Sequence, residues 1–326
     1  MKQRTLLITL VAMLLSIGAF AQEGESFEPS GKPILRIYTN YHSTFTGSEY
    51  DKMFEIQRAY FGYQHQFSKN FSGQLILDVG DPKSGDLKMT AYLKNAYLQY
   101  KNDRLTAQIG LIGLYQFKMQ EDLWGNRYFF KSFMDEYKFG HSADLGAFIK
   151  YKIHDAISVD LTIANGEGYK KVEADSIFKY SGGVTITPLK GLDIRASYDY
   201  MGMDMPQQTL AFYMGYSVEN IRLGAEYNFQ INNKMTADND LSGLSFYGSY
   251  QMEKVRFIGR YDKLSSPILS GDTDPWNFGK DGQLFIAGAE FNPVKGIKIT
   301  PNYQGWKPAD GSEMINSAYL SIEIRF

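Results

Sequence analysis

From Pro33 to Phe326 the sequence returns again and again to segments of about 9 to 12 residues in which apolar and polar side chains alternate one by one. A period of two is the period of a β-strand, and this length is what a tilted strand needs to cross an apolar layer. In the last segment Ala318, Leu320, Ile322, Ile324 and Phe326 make one face, and Ser317, Tyr319, Ser321, Glu323 and Arg325 the other. Ile157, Val159, Leu161 and Ile163 oppose Ser158, Asp160 and Thr162 in the same way, and Ile221, Leu223 and Ala225 oppose Arg222 and Glu226. A soluble β-sandwich also alternates, but its charged faces would all have to lie outside. The pattern instead predicts an all-β fold: a transmembrane antiparallel β-barrel, apolar outside and wet inside.

The connections sort into two kinds that alternate along the chain. Short turns are expected at Ser68-Lys69-Asn70, Lys101 to Arg104, His154-Asp155-Ala156, Pro188 to Gly191, Glu219-Asn220, Glu253-Lys254 and Asn292 to Gly296. Longer loops are expected at Thr46 to Lys52, Gly80 to Thr90, Gln116 to Ser142, Asn165 to Ile177, Met201 to Gln208, Ile231 to Asp240, Leu264 to Asp281 and Gln304 to Ile315. Seven turns and eight loops imply about sixteen strands with both ends of the barrel chain on the turn side. A barrel of about that size keeps an aqueous lumen. Aromatics beside the turns and loops, among them Tyr41, Phe45, Phe67, Tyr115, Tyr151, Tyr250 and Phe291, fit girdles at the two interfaces.

Composition agrees. Tyr 24 and Phe 22 raise aromatics to 15%, yet mean hydropathy is -0.33, too polar for a bundle of membrane helices. The start of the chain has the marks of a secretory leader: Met1-Lys2-Gln3-Arg4 is basic, Leu6 to Ile17 is apolar, and Ala19-Phe20-Ala21 is a small-x-small cleavage site. The division expected is therefore a signal peptide over 1–21, a short periplasmic segment over 22–32 and an outer-membrane barrel over 33–326. Cysteine is absent, which removes disulfide frameworks and Cys-based zinc sites. A formal net charge of -2 and the lack of any basic-aromatic module give no reason to expect nucleic acid.

The third loop, Gln116 to His141, is the longest break, at about 26 residues. Its core runs Asp122-Leu123-Trp124-Gly125-Asn126-Arg127-Tyr128-Phe129-Phe130-Lys131-Ser132-Phe133-Met134-Asp135-Glu136, mixing aromatics with both signs of charge. A loop of that length calls for a function, and the expectation is that it folds into the barrel and narrows the lumen. Strand phase places Arg36, Arg58, Lys94, Arg195, Arg222, Arg256, Arg260 and Lys298 inside, with Glu55, Asp78, Asp160, Asp193, Asp199, Glu226 and Glu323. Any one of them can simply pair with a neighbour and stiffen the wall. The residues singled out for constriction and selectivity are Arg58 and Arg260 near mid-strand, Lys118, Arg127 and Lys131 from the loop, and Asp122, Asp135 and Glu136 as the acidic side. Replacing Arg58 and Arg260 together by Ala is expected to move permeation toward cations. Gly62, Gly110, Gly146, Gly224 and Gly288 are expected to allow bending or close approach of the loop.

Several stretches resemble the phosphate-selective porins, the porin O and P family of bacterial outer membranes. They are Arg58-Ala59-Tyr60-Phe61-Gly62, Lys94-Asn95-Ala96-Tyr97, Gln108-Ile109-Gly110 followed by Phe117-Lys118, and Ser132-Phe133-Met134-Asp135-Glu136. The matches run in the family's order over Ile56 to Tyr151. Met119 and Tyr137 stand where the family pattern has Pro and Arg, and the family's lysine site does not transfer residue by residue, so phosphate is not assigned. The resemblance implies a sixteen-stranded, homotrimeric channel for small polar or anionic solutes; the barrel is expected to sit among outer-membrane lipid and lipopolysaccharide, and no cofactor or metal is expected. Phe326 resembles the C-terminal signal read by the barrel-assembly machinery.

Two other classes stay open. A barrel enzyme, a lipase or protease, needs a nucleophile or activated water beside an oriented His; His42 is the candidate, although none of the 4 histidines sits in a Gly-x-Ser-x-Gly or His-Glu-x-x-His setting. An adhesive barrel would bind partners through its loops, and Asp272-Thr273-Asp274-Pro275 with Asp281-Gly282 is the stretch to test for Ca²⁺, with Pro275 breaking any EF-hand spacing.

Overall fold

The computed structural model describes residues 27–80 and 89–326. The leader, 1–21, lies outside them. Sixteen strands close into one antiparallel barrel in which each strand pairs with its sequence neighbours and the last with the first. They are β1 (Ser30–Thr46), β2 (Glu49–Gln66), β3 (Phe71–Gly80), β4 (Thr90–Lys101), β5 (Leu105–Gly113), β6 (Ala143–His154), β7 (Ile157–Ala164) and β8 (Lys179–Leu189). The second half holds β9 (Leu192–Met201), β10 (Gln207–Val218), β11 (Ile221–Ile231), β12 (Leu241–Met252), β13 (Val255–Ser265), β14 (Gly282–Phe291), β15 (Ile297–Pro308) and β16 (Ile315–Arg325). Closure leaves no unpaired edge. The seam runs from Arg36 opposite Arg325 to Thr46 opposite Ile315.

The alternation read from the sequence is the alternation of the wall. Leu161, Leu210, Leu223, Phe246, Phe257 and Leu320 are exposed on the outer face, whereas Asp160, Arg195, Asp199, Glu226, Arg260 and Glu323 are buried on the inner one. A barrel has no dry core of its own. The two buried apolar clusters instead contain third-loop residues packed against the inner wall, Phe133, Met134 and Phe139 in one and Trp124, Tyr128 and Phe129 in the other.

Several boundaries differ from expectation. β1 begins at Ser30, so residues 30–32 of the segment expected to precede the barrel belong to the wall. Thr46 pairs with Glu49, so the loop expected over Thr46 to Lys52 is a two-residue turn; Gly47, at φ 57, takes the left-handed conformation such a hairpin needs. β1 and β2 reach 17 and 18 residues, and the polar stretch that reads as loop is strand. The connection between β3 and β4 falls largely in 81–88, outside the described residues. Tyr115 sits inside the barrel rather than in a girdle, its hydroxyl bonded to Lys150.

Two bulges decide which charges enter the lumen. Strict alternation would set Glu55 and Arg58 on opposite faces, but the pairing with β1 skips Gln57, and both point inward. On β4 the pairing with β3 skips Lys94, turning this residue into the lumen toward Tyr60.

Candidate functional site

The segment between β5 and β6 folds inward, as expected, but it is not irregular throughout. It opens with helix α1 (Tyr115–Trp124), stopped by Gly125 at φ 66, whose N–H closes on Glu121 O. After the turn at Asn126 to Phe130 a single helical turn, α2 (Phe133–Glu136), precedes the return to the wall. Period-two reading of the strands gave no sign of α1, because its apolar positions were explained equally well by a loop packing on the wall.

One face of this segment is fixed to β10–β15. The Tyr128 hydroxyl donates to Glu290 at 2.9 Å and bonds Thr300. Arg256 holds Asn126 Oδ1 at 3.0 Å and Glu290 at 2.5 Å. Gln230 donates to Phe139 O at 3.0 Å, and Tyr137 donates to Asp262 at 3.1 Å. Arg260 makes two 2.8 Å bonds to Asp262 and one of 2.7 Å to Lys131 O, with its guanidinium 4.9 Å from the Trp124 ring centroid and 5.2 Å from that of Phe130. Phe133 fits where the wall has no side chain: a Cβ on Gly243 would stand 2.3 Å from its ring. Among the glycines expected to ease bending or approach, Gly62, Gly110 and Gly146 lie close against the backbone of neighbouring strands; the wall glycines that meet the loop are Gly243, under Phe133, and Gly215, where a Cβ would stand 2.8 Å from Leu123.

The other face looks across the lumen at β1–β4. Arg127 reaches Asp135 at 3.3 Å and Glu121 at 3.7 Å. Burial works against its charge, but Tyr60, Asp135, Glu121 and Tyr38 outweigh burial, and its pKa rises above the ordinary guanidinium range. Burial likewise opposes ionisation of Asp135, yet Arg127, Lys131, Lys94 and Lys138 hold its carboxyl below the usual value. On the facing wall Arg58 pairs with Asp78 at 3.2 Å, and Tyr169, from the loop between β7 and β8, donates to the same carboxylate at 2.7 Å. Lys94 lies 4.8 Å over the Tyr60 ring and 5.6 Å from that of Tyr169, and Lys170 lies 4.5 Å over Tyr92. Among the described residues Lys94, Lys138 and Lys170 have no carboxylate partner. Burial, then the charges of Lys131 for Lys138 and of Arg58 for Lys170, lowers the pKa of both. The neck thus gathers Arg58, Lys94, Arg127, Lys131, Lys138 and Lys170 around Asp78, Glu121, Asp135 and Glu136, and water still reaches 16% of the Arg127 side chain and 18% of Arg58.

The residues singled out from sequence fall into three groups. Arg58, Arg127, Lys131, Asp135 and Glu136 come together at the neck, with Lys131 and Glu136 paired at 3.1 Å. Lys118 and Asp122 pair with each other on the open side of α1, at 62% and 59% exposure. Arg260 has the inward phase assigned to it, but its side chain is fully buried beneath the loop, so it anchors the loop and does not face the passage. Sequence reasoning placed Lys94 inside without choosing it and did not single out Lys138 or Lys170. The β4 bulge sets Lys94, the left-handed backbone at Lys138 in the third loop sets that residue, and the fold of the loop between β7 and β8 sets Lys170; none of these is written in a period of two.

The other candidate chemistry is accounted for locally. His42 Nδ1 lies 2.7 Å from Asn40 Oδ1 and its ring packs on Tyr319. Asp281 accepts bonds from Ser266 and Asn277, which staple the loop between β13 and β14.

No family model matches this sequence, and no curated protein matches it. Solved structures do. The outer-membrane channel DcaP of Acinetobacter baumannii superposes with a TM-score of 0.69 at 12% identity, covering 94% of this chain and 100% of that one. OmpF of Salmonella typhi, solved with daunomycin, gives 0.68 at 13% identity over 91% and 97% of the two chains. An anion-selective porin from Comamonas acidovorans gives 0.66 at 10% identity over 92% and 100%. At these identities, what the chain shares with such channels is the fold.

Proposed function

We propose that the protein is an outer-membrane porin through which small hydrophilic solutes diffuse passively, with a preference for anions. The observation that carries this reading is the neck, where six cationic side chains surround four carboxylates and three of the cations lack a carboxylate partner among the described residues. A wet, narrow passage with excess positive charge lowers the barrier for anions and raises it for cations. The shared fold with proteins described as outer-membrane channels, one of them an anion-selective porin, supports it. The phosphate-selective group is the finer assignment favoured by the sequence resemblance, and a homotrimer follows from the same resemblance. Phe326, 77% exposed at the end of β16, is available to the barrel-assembly machinery.

The test is a planar bilayer holding the refolded chain under a salt gradient. Stepwise currents with a reversal potential of the sign for chloride are expected; a cation-selective potential would reject the anion preference, and a folded barrel passing no current would reject the channel. The enzyme reading has less support, because His42 meets an amide oxygen and a tyrosine ring rather than a nucleophile. Hydrolytic activity abolished by His42→Ala would revive it.

A further inference from the structure

We propose that the lumen mouth beside the third loop contains a binding site for planar aromatic anions, which a solute meets before the neck. This inference rests on the channel reading and names a class of solute for it. A cavity of about 480 Å³ opens there, within the size range of pockets that take small organic ligands. Phe130, Tyr137, Trp276 and Trp306 contribute four aromatic rings to its lining. Tyr137 and Trp306 stand 6.2 Å apart at an interplanar angle of 32°, so they offer neighbouring faces to one flat guest. The polar ends of two of these residues are already engaged in the wall and loops: the Tyr137 hydroxyl with Asp262 at 3.1 Å and the Trp276 Nε1 with Asp240 O at 2.7 Å. What they leave to the cavity is apolar ring surface.

Charge comes from Lys138, Lys234 and Lys280 in the same lining, none with a carboxylate partner among the described residues. The lining's one carboxylate, Glu136, is held by Lys131 at 3.1 Å. Lys138 and Lys234 occupy left-handed backbone at φ 63 and 56, a conformation that lysine adopts only when its surroundings impose it. The amide groups in the lining are committed internally: Asn233 Nδ2 to Gln230, Asn277 Nδ2 to Asp281, and Gln304 Nε2 to Asn302. Ring faces and ammonium groups without a carboxylate partner are what the lining offers, and together they match an aromatic carboxylate or sulfonate. Glu136 and Lys138 also belong to the neck, so the cavity leads directly into it.

Equilibrium dialysis of naphthalene-2-sulfonate against the full refolded chain in detergent, with protein-free micelles as blank, tests the site without requiring current. Saturable binding is expected, weaker by about tenfold or more for 2-naphthol, methanesulfonate and glucuronate. Trp306→Ala and the double variant Lys138→Gln, Lys234→Gln should each weaken it by about tenfold, in barrels that still show heat-modifiable migration. Equal binding to the wild type and Trp306→Ala, or glucuronate binding as tightly as the sulfonate, would overturn the aromatic site. So would no binding above the blank by protein that conducts chloride in a bilayer, leaving the channel reading intact; loss of that current itself would strike the channel reading instead.

Discussion

Arg58 on β2 and Arg260 on β13 are the same residue in nearly the same local setting, each facing inward and each paired with an aspartate, Asp78 in one case and Asp262 in the other. They differ in what lies above them. Arg260 and Asp262 are sealed under Trp124, Phe130 and the Lys131 carbonyl, with no side-chain surface left to water. Arg58 faces the passage across from Arg127 and keeps 18% of its side chain exposed. One half of the wall therefore serves as a bed for the third loop, and the other half makes the neck with it. A buried ion pair fixes geometry at the cost of desolvation, whereas a wetted one leaves its field available to a passing ion.

The sharpest way to break this contrast is to remove each arginine in turn. Arg260→Ala strips Asp262 of its guanidinium and costs loop docking about 3–5 kcal/mol, so single-channel conductance and open-channel noise should rise. Arg58→Ala should leave conductance steady and move the reversal potential toward cations. Matching shifts in reversal potential at steady conductance for both variants would erase the distinction. Gly243→Ala places a Cβ 2.3 Å from Phe133 and should loosen docking by about 1–3 kcal/mol, visible as noise without a change in selectivity. Lys94→Gln acts on the opposite wall; its expected result is a fall of a few-fold in the chloride-to-potassium permeability ratio, with docking untouched.

Acid offers a subtler probe. Burial alone would raise the Asp135 carboxyl, but the cations around it outweigh burial and hold it below the ordinary aspartate value of about 3.9 in the folded chain. Its contribution to docking is therefore fully present above that value and is lost as pH falls through the lower folded value. Pepsin cleavage within 125–140 should appear only once the pH falls below the ordinary aspartate range, about 3.9, and cleavage already complete at about pH 5 would contradict the shift. The smallest effect belongs to Lys118→Gln. Its partner Asp122 is itself 59% exposed, so stability should change by less than about 1 kcal/mol and thermal melting should scarcely move.

The barrel was legible because closure makes each strand repeat one rule: the outer face stays apolar, and the inner face can carry charge. Ile322 and Glu323 obey that rule whatever their neighbours are. The neck was legible only in part. That Arg58, Arg127, Lys131, Asp135 and Glu136 lie near one another could be read because one strand's phase and one long loop point to the same space; their part in selectivity belongs to the proposal. The cover over Arg260 could not be read, because phase reports the direction of a side chain and not what lies above it. The prominence of Lys94 depends on a register slip of one residue against β3, decided by both strands together.

The hydrogen bonds from Tyr137 to Asp262 and from Gln304 to Phe129 span sequence separations of 125 and 175 residues. The third loop emerges long before the strands that hold it. Contacts so far apart along a chain are slow to form, so the barrel wall must come together before its narrowing can be completed. The third loop is therefore the last part of the barrel to be fixed in place. A chain in which β13 to β15 have not joined the sheet lacks Asp262, Glu290 and Thr300, the partners of Tyr137 and Tyr128, and its third loop is left with the anchors on β10 to β12 alone.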